Sequence, residues 1–161
     1  MGHEEHSLET IEEVYRHRYR SFLRVALAIV GDRERAHDAV QEAFARAIRA
    51  RHGYRGEAAL DSWIWATLLN VCRDVRRRGR PEASAESEPA ATNGHAEPWP
   101  ELRAAIALLP ERQRHALLLR YYADLDYESI AAALGVERGT VAATLHAAHA
   151  ALKPRVEEVT R

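Results

Sequence analysis

Cysteine is nearly absent from this sequence of 161 residues, and long apolar runs are missing altogether. The single cysteine, Cys72, excludes an internal disulfide, and its place in an apolar stripe predicts a buried core thiol. No segment approaches the roughly 18–20 apolar residues of a membrane span, so we expect no membrane insertion. The N-terminus is acidic and lacks the basic and apolar regions of a signal peptide, which favours a cytoplasmic location.

The usual sequence signatures of catalysis are also missing. The chain has no glycine-rich phosphate loop, no Cys–His pair at metal-ligand spacing and no nucleophile beside an evident base. His146 and His149 lie three residues apart, but two ligands are too few for a zinc site. We therefore expect no enzymatic activity, no cofactor and no metal.

Lysine is scarce, and the chain has no strong charge of either sign. Only Lys153 among the 23 basic residues is a lysine, and the net charge is −1. Residues 1–78 hold 14 arginines and 12 acidic residues, whereas residues 79–100 are acidic. Any contact with nucleic acid must therefore come from local basic patches and not from a global positive field.

Helical periodicity dominates what is present. Apolar residues recur every three or four positions, which predicts an all-α fold with helices over 8–30, 33–50, 61–78, 101–109, 110–123 and 126–152, the last interrupted by a turn. Residues 79–100 carry four prolines and no apolar periodicity, which predicts a flexible linker. We thus expect two small helical domains, 1–78 and 101–161, with a short charged tail after Pro154.

Two apolar stripes lead to specific predictions in the first domain. The stripe of the 33–50 helix is expected to include Ile48. In the 61–78 helix, Trp63 falls on the expected core stripe. Trp65 lies about 200° around the helix from Trp63, which predicts that Trp65 is the better exposed aromatic.

The basic end of the 61–78 helix has two interpretations. Arginines near a helix C-terminus suit the helix dipole, which is a purely structural role. A basic helix end beside an aromatic-bearing loop, residues 51–60, also suits a single-stranded nucleic acid, because cations hold the backbone and aromatics stack on bases.

Residues 126–152 have the pattern of a helix-turn-helix. Gly135 is placed to end the first helix, and the second helix has an apolar stripe of Val141, Leu145, Ala148 and Leu152. Such a unit typically inserts its second helix into the DNA major groove, although an ordinary helical hairpin has the same pattern. No lysine or arginine occurs from Thr140 to Leu152, so this face would bind DNA weakly without help from its neighbours.

Three blocks together resemble the bacterial sigma factors of the extracytoplasmic-function (ECF) type. ERAHDAVQEAFARAIRA (34–50) is similar to the family's region 2.2, with its D-x-x-Q-E-x-F core. YRGEAALDSWIWATLLNVCRDVRRR (54–78) is similar to regions 2.3 and 2.4, and residues 109–152 are similar to region 4. The resemblance implies a region 2-like bundle and a region 4-like helix-turn-helix domain. It also implies core RNA polymerase, promoter DNA and an anti-sigma factor as partners.

The resemblance further implies three sets of site residues. The 34–50 helix would dock on the clamp coiled coil of the largest polymerase subunit through Asp38, Gln41, Glu42 and Arg46. Recognition and melting of the −10 element would involve Arg55, Trp63, Trp65, Asn70, Arg73, Arg76 and Arg77. Reading of the −35 element would involve Arg112, Arg114, Arg120, Arg138, Thr140, Thr144 and His146.

The second helix of the helix-turn-helix departs from the family pattern. Members commonly read G-T-V-K-S-R-L-x-R-A-R, whereas this chain lacks up to four of those basic side chains, at Ala142, Thr144, Ala147 and His149. A −35 contact should therefore be weaker and less sensitive to salt than is typical. Two alternatives stay open: a stand-alone helix-turn-helix regulator, and a sigma-like interaction module with weakened −35 binding.

Overall fold

The computed structural model describes residues 2–56, 59–79 and 100–159. The chain divides into a first unit, Met1–Ala83, and a second unit, Ser84–Arg161. The predicted all-α class is confirmed, because every regular element of the described ranges is helical. The predicted linker, 79–100, lies outside the described residues except at its ends, where Gly79 caps one helix and Pro100 begins another.

The described residues of the first unit form three helices that pack against one another. They are α1 (Gly2–Val30), α2 (Arg33–Ala50) and α3 (Leu60–Arg78), with a 3-10 turn, Arg51–Gly53, after α2. The helix predicted over 33–50 is confirmed at both ends, and that over 61–78 to within one residue. Asp32 explains the sharp start of α2, since its side chain accepts a hydrogen bond from the backbone N–H of Arg35 at 2.8 Å.

Aromatic rings from all three helices meet in the core of the first unit. Phe22 of α1 stacks on Trp65 of α3, with ring centroids 3.8 Å apart and planes 13° apart. Phe44 of α2 meets the Phe22 ring edge-on at 5.0 Å. Cys72, seven residues after Trp65 on α3, is fully buried. Burial raises the pKa of its thiol to about 12. The prediction of a core thiol is therefore confirmed.

One predicted core residue of α2 lies outside the core. The buried stripe of α2 contains Ala36, Ala39, Val40, Ala43, Phe44 and Ala47. Ile48 is 37% exposed, because it lies at the edge of this stripe, one position beyond the last buried residue. The prediction that Ile48 is buried is wrong.

The described part of the second unit contains four helices. They are α4 (Pro100–Ala107), α5 (Glu111–Tyr121), α6 (Tyr127–Leu134) and α7 (Arg138–Val159), and α7 packs against the other three. The predicted helix-turn-helix is confirmed as α6, a short turn and α7. Asp126 caps α6 by accepting a hydrogen bond from the Ser129 backbone N–H at 2.8 Å. Gly135 ends α6 with a left-handed φ of 65°, which glycine adopts without a steric penalty.

The predicted charged tail after Pro154 is wrong, because α7 continues through this proline to Val159. The φ of proline is compatible with a helix, and its missing N–H removes one hydrogen bond, to the carbonyl of residue 150. Ala150 is exposed, so that its carbonyl can bond to water instead. None of the described helices combines the length and the apolar character needed to cross a bilayer.

Candidate functional site

The outer face of α2 carries the four residues predicted to bind a protein partner. Asp38 and Gln41 are exposed, and Glu42 and Arg46 are half-buried. Gln41 and Glu42 follow Asp38 by three and four residues. A helix of 3.6 residues per turn therefore presents all three side chains on one side. The structure thus brings this set together on a continuous surface, here called the α2 face (residues 38, 41, 42, 45 and 46).

Ion pairs hold the charged end of the α2 face in place. The Arg46 Nε donates to Glu42 Oε1 at 2.8 Å, and Arg49 approaches the same oxygen at 3.3 Å. The Arg46 guanidinium also lies 3.7 Å from Asp74 of α3. The hydrogen bond from Arg46 is the main reason that the pKa of Glu42 lies below its ordinary value. The Glu42 carboxylate therefore keeps its charge and its orientation.

Two tyrosines of α1, which were not among the predicted site residues, border the α2 face. The Gln41 Nε2 donates to the Tyr15 hydroxyl at 2.9 Å. The Tyr19 ring lies 5.1 Å from the Tyr15 ring and 6.0 Å from the imidazole of His37. Both side chains are half-exposed. Their place beside Gln41 depends on how α1 and α2 align, so the sequence carried no signal for it.

A second surface runs along the outer side of α3. Trp63, Asn70 and Arg77 follow one another at intervals of seven residues, so they share one side of the helix. Asn70 and Arg77 are exposed, and Trp63 is half-buried. The Asn70 Oδ1 accepts a hydrogen bond from Arg73 at 3.3 Å. This side, here called the α3 face (residues 63, 67, 70, 73 and 77), combines an aromatic ring, an amide and cations.

The loop before α3 adds an aromatic ring to the α3 face. The Tyr54 ring lies 5.5 Å from the Trp63 ring, at an interplanar angle of 34°. Arg55 is exposed beside it, and Arg76 is exposed at the other end of α3. Residues 57–58 of this loop lie outside the described ranges.

The predicted exposure of the two tryptophans is reversed. Trp65 is completely buried against Phe22, whereas Trp63 reaches the surface. The physical reason is that α3 packs against both α1 and α2, so its buried arc is wide and includes position 65. The seven-residue step from Trp63 to Asn70 and Arg77 was the signal that could have placed Trp63 on the polar side. Trp65 is therefore not available to touch a ligand in the folded unit.

The surface of α7 agrees with its sequence pattern. The predicted stripe of Val141, Leu145, Ala148 and Leu152 is buried, which confirms that prediction. Arg138, Thr140 and His146 are exposed. Thr144 is half-buried and donates its hydroxyl to the Thr140 carbonyl at 2.7 Å, which leaves its methyl group to contact a partner.

The arginines of α5 lie in three different environments. Arg112 is exposed. Arg120 is half-buried, donates to the Leu125 carbonyl at 3.0 Å and lies 5.8 Å from the Tyr127 ring centroid. Arg114 is only 6% exposed and donates to the Ala107 carbonyl at 3.0 Å.

The prediction that Arg114 contacts DNA is therefore contradicted by its position. Residues 114–119 are all buried, because α5 is enclosed within the second unit, and Arg114 satisfies a carbonyl at the end of α4. A guanidinium in this position stabilises the α4–α5 corner. It does not reach the surface that α7 presents.

The two histidines of α7 lie in different surroundings. His149 is hydrogen-bonded through Nε2 to the Tyr121 hydroxyl at 2.9 Å, whereas His146 is exposed among alanines. Within the described ranges, no group of three or more His, Cys, Asp or Glu is placed to hold a metal ion.

Comparison with known proteins places both units in known families of domains. The family described as Sigma-70 region 2 matches residues 14–82, and Sigma-70, region 4 matches residues 100–152. The ECF RNA polymerase sigma factor EcfG of Rhodopseudomonas palustris is 33% identical over 135 residues, which cover 79% of this chain and 74% of that protein. The RNA polymerase sigma-E factor of Streptomyces antibioticus is 32% identical over 91% of this chain and 84% of that protein.

A solved structure shares the fold. It is the sigma factor RpoE in complex with the anti-sigma factor NepR from Bartonella quintana, with a TM-score of 0.67 and 20% identity. The similarity covers 91% of this chain and 98% of that chain. At this identity the likeness concerns the arrangement of the helices.

Proposed function

The chain belongs to the sigma factors of bacterial RNA polymerase, of the extracytoplasmic-function type, and from this premise we propose how its surfaces divide the work of initiation. As a sigma factor it binds core polymerase and directs initiation at specific promoters. We assign polymerase docking and the −10 element to residues 1–78, and the −35 element to residues 101–161. Residues 79–100 connect these two parts of the chain. Sigma factors are initiation factors, and we assign no catalytic role to any residue.

The α2 face is proposed as the polymerase-docking surface. The observation that supports it most strongly is the convergence of Asp38, Gln41 and Glu42 on one side of a helix whose other side is packed in the core. Glu42 is already fixed by Arg46, so little side-chain freedom is lost when a partner binds. Ile48 adds exposed apolar area at the end of the same helix.

The α3 face is proposed as the −10 surface. Melting a promoter requires a base to leave the stack, which costs a few kcal/mol and is offset by stacking on protein aromatics. Trp63 and Tyr54 supply neighbouring rings, and Arg73 and Arg77 supply cations on the same side of α3. Arg55, Asn70 and Arg76 complete the proposed surface, and Trp65 is left out because it is buried.

Trp63→Ala should impair promoter opening and leave polymerase binding unchanged. Loss of one base–aromatic stacking contact costs about 1–3 kcal/mol, which corresponds to roughly 5- to 150-fold fewer open complexes. Permanganate reactivity of unpaired thymines in the holoenzyme–promoter complex measures opening, and a polymerase titration measures docking. Trp63→Phe, which keeps a stacking ring, is the matched control. Normal opening by Trp63→Ala, or an equal loss of docking, would contradict the assignment.

The exposed side of α7 is proposed as a weak −35 surface. Thr140, Thr144 and His146 face outward on α7, and Arg112 and Arg138 are exposed on α5 and at the start of α7. Arg120 is assigned a supporting role, because it binds the Leu125 carbonyl just before α6. The region 4 match supports this assignment, and the lack of basic residues on α7 limits its strength.

We also propose an anti-sigma partner and a cytoplasmic site of action. The solved structure with the same fold is a complex with an anti-sigma factor, which supports the first proposal. Promoter-bound polymerase works in the bacterial cytoplasm, which is the reason for the second.

A further inference from the structure

The Gln41 side chain is held by a neighbouring helix, although it lies on an exposed surface. Its Nε2 donates to the Tyr15 hydroxyl at 2.9 Å across the α1–α2 interface. The Tyr19 hydroxyl also interacts with Gln41: burial raises the pKa of Tyr19, and the hydrogen bond with Gln41 opposes that rise. The amide nitrogen of Gln41 therefore faces Tyr15.

The Tyr15 ring is itself fixed by the core. It meets the Phe44 ring edge-on, with centroids 4.9 Å apart and planes at 90°, and Phe44 is only 4% exposed. The Tyr15 ring also packs against the Tyr19 ring, with the two ring centroids 5.1 Å apart. A free glutamine on a helix surface loses rotamer entropy when it is immobilised. Tyr15 removes part of that freedom before any partner binds.

We propose that Tyr15 is a positioning residue for core-polymerase docking, which holds Gln41 so that its Oε1 faces outward to accept a hydrogen bond from a polymerase donor. The inference rests on the proposed function of the α2 face. It adds α1 to the docking surface, through a hydroxyl that need not touch polymerase. It also explains why a tyrosine, and not phenylalanine, is useful at a position whose ring packs on Phe44.

A double-mutant cycle in the full chain tests this proposal. The dissociation constant for core polymerase is measured for the wild type, Tyr15→Phe, Gln41→Ala and the double variant. One net hydrogen bond contributes about 0.5–1.5 kcal/mol, so Tyr15→Phe should weaken binding about 2- to 12-fold. Gln41→Ala should weaken it at least as much. The double variant should bind no worse than Gln41→Ala alone, because Tyr15 acts only through Gln41.

Two further measurements separate positioning from folding. The side-chain amide signals of Gln41 in the free protein should shift on Tyr15→Phe, while the melting temperature stays nearly unchanged. Tyr127→Phe, which removes a hydroxyl from a half-buried tyrosine of the second unit, is the matched control and should not change polymerase affinity.

Each other outcome overturns a distinct part of the proposal. Additive losses in the double variant would mean that Tyr15 touches polymerase itself or acts through stability, and an unchanged Tyr15→Phe would remove its role. If Gln41→Ala binds normally while the wild type forms a holoenzyme, both the Gln41 contact and the positioning role fail, but the sigma function stands. If the wild type does not bind polymerase, the proposed function itself fails.

Discussion

Trp65→Ala should strongly destabilise the first unit of the protein. Trp65 is completely buried, and its ring stacks on Phe22 at 3.8 Å, so truncation leaves a cavity in the middle of three helices. Truncation of a buried aromatic costs about 3–5 kcal/mol, and a whole domain is stable by only about 5–15 kcal/mol. Guanidinium unfolding followed by far-UV circular dichroism should show a strongly reduced midpoint or no folded baseline for this unit.

Two variants act as controls for this prediction. Trp65→Phe keeps a ring against Phe22 and removes a buried indole N–H that has no hydrogen-bond partner, so it should cost far less than alanine. Trp63→Ala, on the exposed side of the same helix, should also cost much less. A stable, normally folded Trp65→Ala protein, or a larger loss of stability for Trp63→Ala, would show that the core is wrongly assigned.

Adding three cations to α7 should convert it into a strong, salt-sensitive DNA surface. The variant is Ala142→Lys, Thr144→Arg and Ala147→Arg, at positions that are exposed or half-buried. Each phosphate contact adds about 0.9 to the slope of log affinity against log salt, so three contacts add about 2.7. Between about 50 and 200 mM salt the variant should lose roughly 40-fold more affinity than the wild type. Titration of a mixed-sequence duplex at several salt concentrations measures both slopes.

A charge-matched control separates position from net charge. Replacing the exposed Glu9, Glu13 and Glu34 with glutamine also adds three units of positive charge, but in the first unit. These changes should alter the salt slope much less than the changes in α7. Equal slopes for both triple variants, or no change for the α7 variant, would mean that this side of α7 does not lie against DNA.

Elements whose boundaries depend on local chemistry could be predicted closely from the sequence. The start of α2 follows from Asp32, which caps it. The helix-turn-helix follows from Asp126 and Gly135, which satisfy the ends of α6 through local hydrogen bonds. Such signals act within four residues, so they need no knowledge of what packs against the helix.

Side-chain environments that depend on neighbouring helices could not be predicted in the same way. Trp65 is buried because α3 packs on two helices at once. A prediction from periodicity that assumes one buried face misses the second contact. Arg114 is buried where it donates a hydrogen bond to a carbonyl at the end of α4. The charge of an arginine alone does not indicate such a position. The contact between Tyr15 and Gln41 joins residues 26 positions apart and depends on how α1 and α2 align.

The most direct test of the central claim is to mix the purified chain with core RNA polymerase and sequence the 5′ ends of the transcripts that result. We predict a stable complex and initiation from a defined promoter set, with a clear −10 motif and a weak −35 motif. A complex without specific initiation would favour a sigma-like interaction module. No complex, together with direct binding of duplex DNA, would contradict the account and favour a stand-alone helix-turn-helix regulator.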